Sequence, residues 1–90
     1  MPEIDVKAEL EDIVYLLDML LTDVMIPKNA KIILSNIKNI VETDSKNVIK
    51  LSEAIYGLQD VSEDPNLPLN AKSEVWQLLN KLEKVKELLK

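Results

Sequence analysis

The sequence predicts an all-α protein: a four-helix up-and-down bundle made of two duplicated helical hairpins. Three observations predict it. Apolar residues recur at helical spacing through four segments. A short Pro-containing stretch is written twice, first as Asp23-Val24-Met25-Ile26-Pro27-Lys28-Asn29-Ala30-Lys31 and, forty-one residues later, as Asp64-Pro65-Asn66-Leu67-Pro68-Leu69-Asn70-Ala71-Lys72. Residues 13–42 laid on 54–83 without a gap give nine identities in thirty positions: Tyr15/Tyr56, Leu17/Leu58, Asp23/Asp64, Pro27/Pro68, Asn29/Asn70, Ala30/Ala71, Lys31/Lys72, Asn39/Asn80 and Glu42/Glu83. Each repeated stretch reads as the bend of a hairpin, in which an Asp closes one periodic segment and a Pro with φ near the helical value opens the next. Two units are too few for a solenoid, whereas two hairpins packed face to face bury both apolar stripes.

Helix 1 is expected from about Ile4 to Thr22, with Pro2 and the acids Glu3, Asp5 and Glu9 at the positive end of its dipole. Its core line is Val6, Leu10, Ile13, Val14, Leu17, Leu20, Leu21 and Val24. A second apolar set, Ile4, Ala8, Tyr15 and Met19 with Leu16 on the flank, lies on the opposite side, so this helix carries two apolar faces.

Helix 2 is expected over about Pro27 to Glu42, burying Ala30, Ile33, Leu34, Ile37, Ile40 and Val41 and turning Lys28, Lys31, Lys38 and Asn39 to water. Thr43-Asp44-Ser45 reads as the N-cap of helix 3, about Lys46 to Val61, whose inward residues are Val48, Leu51, Ala54, Ile55, Leu58 and Val61. The connection is short, so helices 2 and 3 are antiparallel neighbours. Gly57 costs helix 3 about 1 kcal/mol relative to Ala, which points to a close helix–helix approach. Helix 4, about Leu69 to Leu89, buries Ala71, Val75, Leu78, Leu79, Leu82, Val85 and Leu89, and its tail carries Lys81, Lys84, Lys86 and Lys90 at the negative dipole end. The whole is one domain, 1–90, with hairpin one at 3–42 and hairpin two at 45–89.

The chain has 90 residues, no Cys, no His, one Gly and a formal charge of −5. The missing thiols and imidazoles remove disulfides, zinc or haem ligation by those side chains, and the commonest general base. A bundle of this size invites comparison with di-metal carboxylate proteins, but their Glu-x-x-His pattern needs a His. Asp18 is the acid set deepest among the apolar residues of helix 1, and reads as a solvated or flanking residue. Asp23 and Asp64, which share a repeat position, read as acceptors for backbone N–H groups in the bends. Ser35, Ser45, Ser52, Ser62 and Ser73 have no imidazole partner, and one Gly cannot build a phosphate-cradling loop. The sequence therefore predicts no enzyme, no cofactor and no metal site. The start, Met1-Pro2-Glu3-Ile4-Asp5, has no basic and apolar leader, and the longest apolar stretch is short of the ~20 residues a membrane span needs. These features read as a cytoplasmic protein without membrane contact.

Charge divides by element: residues 1–23 hold one Lys and seven acids, 27–43 three Lys and one acid, and 68–90 five Lys and three acids. Acidic helix 1 is expected beside its basic neighbours, each exposed pair contributing at most about 1 kcal/mol.

The run Asp64-Pro65-Asn66-Leu67-Pro68, followed by Lys72 and Trp76, resembles the second half of a small family of uncharacterised archaeal proteins, uncharacterised protein family 0147. The first bend, Ile26-Pro27-Lys28-Asn29-Ala30-Lys31, is similar to that family's Val-Pro-Arg-Asn-x-Arg turn, with Lys28 and Lys31 where Arg is common. Val24-Met25 and Leu69-Asn70 depart from the family's more polar usage. The resemblance implies a compact archaeal four-helix bundle and transfers no catalytic residue.

Function is expected to lie in surfaces. The favoured reading is a protein-interaction module that also pairs with itself as a homodimer through the outer face of helix 1, with Tyr15, Leu16 and Met19 as contacts and an unknown protein as further partner. In the alternative reading, Ile4 and Ala8 are frayed or are covered by the C-terminal turn of helix 4, with Leu88 and Leu89. Trp76 is either a lid over one end of the bundle or an exposed anchor for a partner. The other function class is a weak RNA- or DNA-binding accessory protein using Lys28, Lys31, Lys38 and Lys72 near the N-termini of helices 2 and 4. The acidic total and scarce aromatic residues make nucleic acid the less favoured partner.

Overall fold

A computed structural model describes residues 5–89. Its four helices are α1 (Val6–Thr22), α2 (Lys28–Thr43), α3 (Val48–Ser62) and α4 (Leu69–Leu88), and no strand occurs among the described residues. Each helix packs on its sequence neighbours, α4 closes against α1, and the diagonal pairs do not approach. This is the up-and-down bundle that the short connections dictate. Expectations for Pro2, Glu3, Ile4 and Lys90 fall outside the described residues.

From Asp23 and Asp64 onward the two bends repeat the same hydrogen bonds and cap angles. Pro27 and Pro68 cap α2 and α4 with the same backbone angles, φ −58° and ψ 148°. The Asp23 carboxylate accepts the Met25 N–H at 2.9 Å, and the Asp64 carboxylate accepts the Asn66 N–H at 2.9 Å. Ile26 N–H reaches the Asp23 carbonyl at 3.2 Å, and Leu67 N–H the Asp64 carbonyl at 3.1 Å. A short carboxylate satisfies a donor that the chain reversal would otherwise leave open, which is why Asp stands there twice.

The core is aliphatic and dry. Ile13, Leu17, Leu20, Leu34, Leu51, Leu58, Val75, Leu78, Leu82 and Val85 are fully buried, and no described polar or charged side chain is. Ile33, Val6, Leu10, Val14, Leu21 and Leu89 pack against it from the margin. Gly57 is the close approach its sequence position suggested: an added Cβ would meet Ile33 Cγ2 at 3.1 Å and Ile37 Cδ1 at 3.3 Å.

Several local expectations need correction. The N-cap of α3 is Asn47, whose side chain accepts the Lys50 N–H at 3.1 Å. Asp44 instead closes α2, its N–H donating to the Ile40 carbonyl at 2.7 Å, so the Thr43-Asp44-Ser45 run is spent on ending one helix. Val24 is 88% exposed, because α1 stops at Thr22 and the helical projection no longer applies past it. Ile26 and Leu67, outside any helix, are buried beneath the bends. Asp5 caps α1, accepting from the N–H groups of Lys7 and Ala8.

Candidate interaction surface

The acidic helix lies between its two basic neighbours and is bridged to both. Lys38 of α2 places Nζ 2.6 Å from Asp18 Oδ1, and Lys81 of α4 reaches Glu9 at 3.4 Å and Asp12 at 3.7 Å. The hydrogen bond from Lys38 to Asp18 raises the lysine pKa above its ordinary 10.5, with Glu42 adding to the effect. Asp18 is therefore an ion-pair partner across the α1–α2 seam.

That seam also orients the outer surface. Asp18 turns one flank of α1 towards α2, and Tyr15, one turn earlier, lies just outside it. Tyr15 is 66% exposed and Met19 43% exposed, as the sequence reading expected of an outer face. Leu16 is not part of it: the side chain packs against the core from the α1 flank. Ala8 is exposed, while Ile4 lies outside the described residues.

Trp76 is not a lid. It is 54% exposed, because it stands about 130° around α4 from the centre of the buried stripe, too far for the ring to fold inward. Its helical angle puts it on the flank that α4 turns towards α3, two turns before Glu83, which lines a surface groove with Tyr56 and Gln59. Tyr15 and Trp76 thus occupy outward faces of different hairpins. Helices 2 and 4, read in the repeat register, show why the two faces differ. Ser35 of hairpin one corresponds to Trp76, Lys28 to Leu69, and the Asp18–Lys38 pair to Gln59 and Leu79. Leu79 is buried and Leu69 exposed. Both copies present a tyrosine, Tyr15 and Tyr56; beside it one copy has an ion pair and a serine, and the other has Trp76 and Leu69 exposed.

The four lysines singled out in the sequence do not share one strip. Lys28 and Lys31 line an open groove on α2 with Leu21, Ile32, Ser35 and Asn39. Lys38 is held by Asp18, and Lys72 stands on α4, at the place in hairpin two that Lys31 has in hairpin one. Among the described residues no three acidic side chains converge as metal ligands would, and no helix is long and apolar enough to cross a membrane.

Fold and surface define a small duplicated four-helix bundle whose distinguishing features are exposed apolar side chains on outward helix faces. Residues 1–85 match the sequence profile of the uncharacterised protein family UPF0147, and the chain belongs to that family. A UPF0147 protein from Archaeoglobus fulgidus is 33% identical over 79 residues, which covers 88% of this chain and 91% of the relative. One from Methanocaldococcus jannaschii is 28% identical over 78 residues, covering 86% and 84%. Among solved structures, the protein of unknown function MMP1188 matches with a TM-score of 0.79 and 26% identity over 92% of this chain and 96% of its own. A UPF0147 protein from Thermoplasma acidophilum matches with a TM-score of 0.82 at 23% identity, over 91% and 99%, and so shares the fold.

Proposed function

We propose that the protein is a non-catalytic interaction module that binds other proteins, its own copies included, through apolar side chains on the outward faces of its hairpins. One observation carries this reading: the core is complete without Tyr15, Met19, Tyr56, Leu69 and Trp76, which stay exposed on helices whose inner faces are already buried. Exposed aromatic and Met side chains grouped on a helix face are what protein interfaces enrich. The chain has no imidazole or thiol, and no described charged group is buried where a reactive centre would hold it. Two faces qualify: the outer face of α1 with Tyr15 and Met19, and the outer face of α3 and α4.

Sedimentation velocity over about 1–100 μM, a range that reaches typical weak associations, tests the reading. It would be run on the protein alone and with host extract, for wild type, Tyr15→Glu with Met19→Glu, and Trp76→Glu. Retained helicity with loss of a larger species in either variant supports it. A wild-type chain that sediments as a monomer in both settings, unaffected by any of these changes, overturns it.

A further inference from the structure

One line on α4 joins three features. Lys72, Trp76 and Glu83 stand at spacings of four and seven, which a helix gathers to within about 40° of each other. Trp76 is 54% exposed, with Glu83 exposed and Lys72 half-buried beside it. Neither Lys72 nor Glu83 makes an ion pair among the described residues. A cation lies on the N-terminal side of the ring and an anion on the C-terminal side. This order is complementary to itself when the helix is laid antiparallel on a copy. Lys72 of each chain then faces Glu83 of the partner subunit. The two Trp76 rings come to within about 4.5 Å of each other along the axis, three residues at 1.5 Å each.

We infer that this face is a homodimer surface, with a second copy docked antiparallel across α4, Trp76 at the centre and a Lys72–Glu83 pair on each side. The inference names the partner for one of the two faces in the interaction-module reading and rests on that reading. The surrounding surface suits the same two-fold arrangement. Tyr56 and Ile49, 68% and 74% exposed, lie one above the other on the outer side of α3, and Leu69, 82% exposed, opens α4. Because α3 and α4 are antiparallel, Leu69 and Ile49 sit at opposite ends of the face. A two-fold axis through its middle therefore carries the Leu69 end of one copy towards the Ile49 end of the other. An isologous contact of this kind closes at two subunits and leaves no growing edge. The exposed parts of two Trp and two Tyr rings supply a share of the area that an interface at the small end of the specific range, about 1,200 Å², requires, and Ile49 and Leu69 add to it. The charges fix direction, since a parallel arrangement would set like charges against each other.

Hairpin one is the internal control. Lys31 and Glu42 keep the same spacing as Lys72 and Glu83, but Ser35 occupies the central position. A charge pair without the ring should not hold two copies together.

Sedimentation equilibrium on the full chain tests the geometry through charge exchange. Wild type should show a concentration-dependent dimer, with Trp76 emission moving to shorter wavelength as it forms. K72E and E83K should each weaken self-association by about tenfold or more, like charges then meeting at both rims. An equimolar mixture of the two variants should dimerise again, because one chain now carries two anions where the other carries two cations. The K72E/E83K double variant should also dimerise, K31E/E42K should behave as wild type, and Trp76→Ala should be monomeric with unchanged helicity. A mixture that stays monomeric while wild type dimerises overturns the antiparallel α4 arrangement. A wild-type monomer that loses a different protein on Trp76→Ala overturns the homodimer and leaves the interaction module standing. A wild-type monomer with no such loss overturns the homodimer and removes the α3–α4 face from the interaction-module reading, which then stands or falls with the Tyr15→Glu and Met19→Glu variant.

Discussion

The Lys38 ammonium lies 2.6 Å from the Asp18 carboxylate across the α1–α2 seam, at the two positions that the second hairpin gives to Leu79 and Gln59. The seam inside each hairpin is thus written in two forms within one chain, as an ion pair in hairpin one and as an exposed Gln59 with a buried Leu79 in hairpin two. Both partners of the ion pair are partly exposed, at 31% and 49% of their side-chain surface, so water screens the attraction and the pair adds little net stability. Replacing it with the other hairpin's residues, D18Q/K38L, should leave the melting temperature unchanged or raise it. The pair should show itself at alkaline pH instead. Its hydrogen bond raises the Lys38 pKa above 10.5, so its contribution is complete below that value and fades as pH climbs through the higher folded-state pKa. Thermal melts from about pH 9 to 11.5 should show wild type losing more stability than D18Q/K38L.

Asp23 and Asp64 make the same 2.9 Å bond to the N–H two residues on, and each should matter equally. Asp23→Ala and Asp64→Ala should each cost about 0.5–2 kcal/mol, the range for losing a short side chain that satisfies an exposed helix-junction donor. Asn at either place should recover most of the loss, since its carbonyl accepts the same bond. The bends sit on different hairpins with no shared partner, so the double Ala variant should show the sum. Urea denaturation of the five variants measures all of this.

These bends are the part of the molecule most legible in the sequence. Pro and a short carboxylate act on the chain locally, so their geometry follows from residue type and spacing alone, and the buried stripes of α2, α3 and α4 follow from period in the same way, except that Val48, expected to be buried, is the first residue of α3 and only half-buried. What periodicity misreads lies just past helix ends. Val24 continues the α1 stripe on paper but follows the last helical residue, while Ile26 and Leu67 belong to no stripe and are buried by the reversal of the chain. The outer surface was legible in part. Tyr15 and Met19 stand out by helical projection, but Leu16 needs the bundle's actual packing to be seen on the core side. The contrast between Ser35 and Trp76 was present in the repeat register, yet its meaning depends on knowing that Leu79 is buried beside it.

Gly57 sets a helix propensity gain against a tight contact. Ala in its place would gain about 1 kcal/mol of helix propensity. Its Cβ would sit 3.1 Å from Ile33 Cγ2 and 3.3 Å from Ile37 Cδ1. Ile33 is partly exposed and can yield, whereas Ile37 is buried and cannot. Gly57→Ala should therefore fall within about 1 kcal/mol of wild type, and Gly57→Val should destabilise by about 1–3 kcal/mol through overpacking. Ile37→Val removes the obstructing methyl, so Gly57→Ala should be more favourable in that background. A double-mutant cycle reads the coupling directly.

The reverse exchange across the α3–α4 seam should be far less forgiving than D18Q/K38L. Leu79 is only 4% exposed, and L79K puts an ammonium where Gln59 offers no charge. The long stem can carry that ammonium outward, which limits the penalty, but the packed leucine is still lost. Together these should cost about 1–3 kcal/mol. Adding Q59D recreates the Asp18–Lys38 pair in the second hairpin and should recover only part of it, because a screened surface pair replaces a buried side chain poorly. If Q59D/L79K were as stable as wild type, the apolar form of the seam would have no stability advantage over the charged one. Chemical denaturation of L79K, Q59D and the double variant decides it. The expected order, with wild type above the double variant and the double variant above L79K, would mean that the apolar side chains of hairpin two are held in place by packing that hairpin one has exchanged for charge.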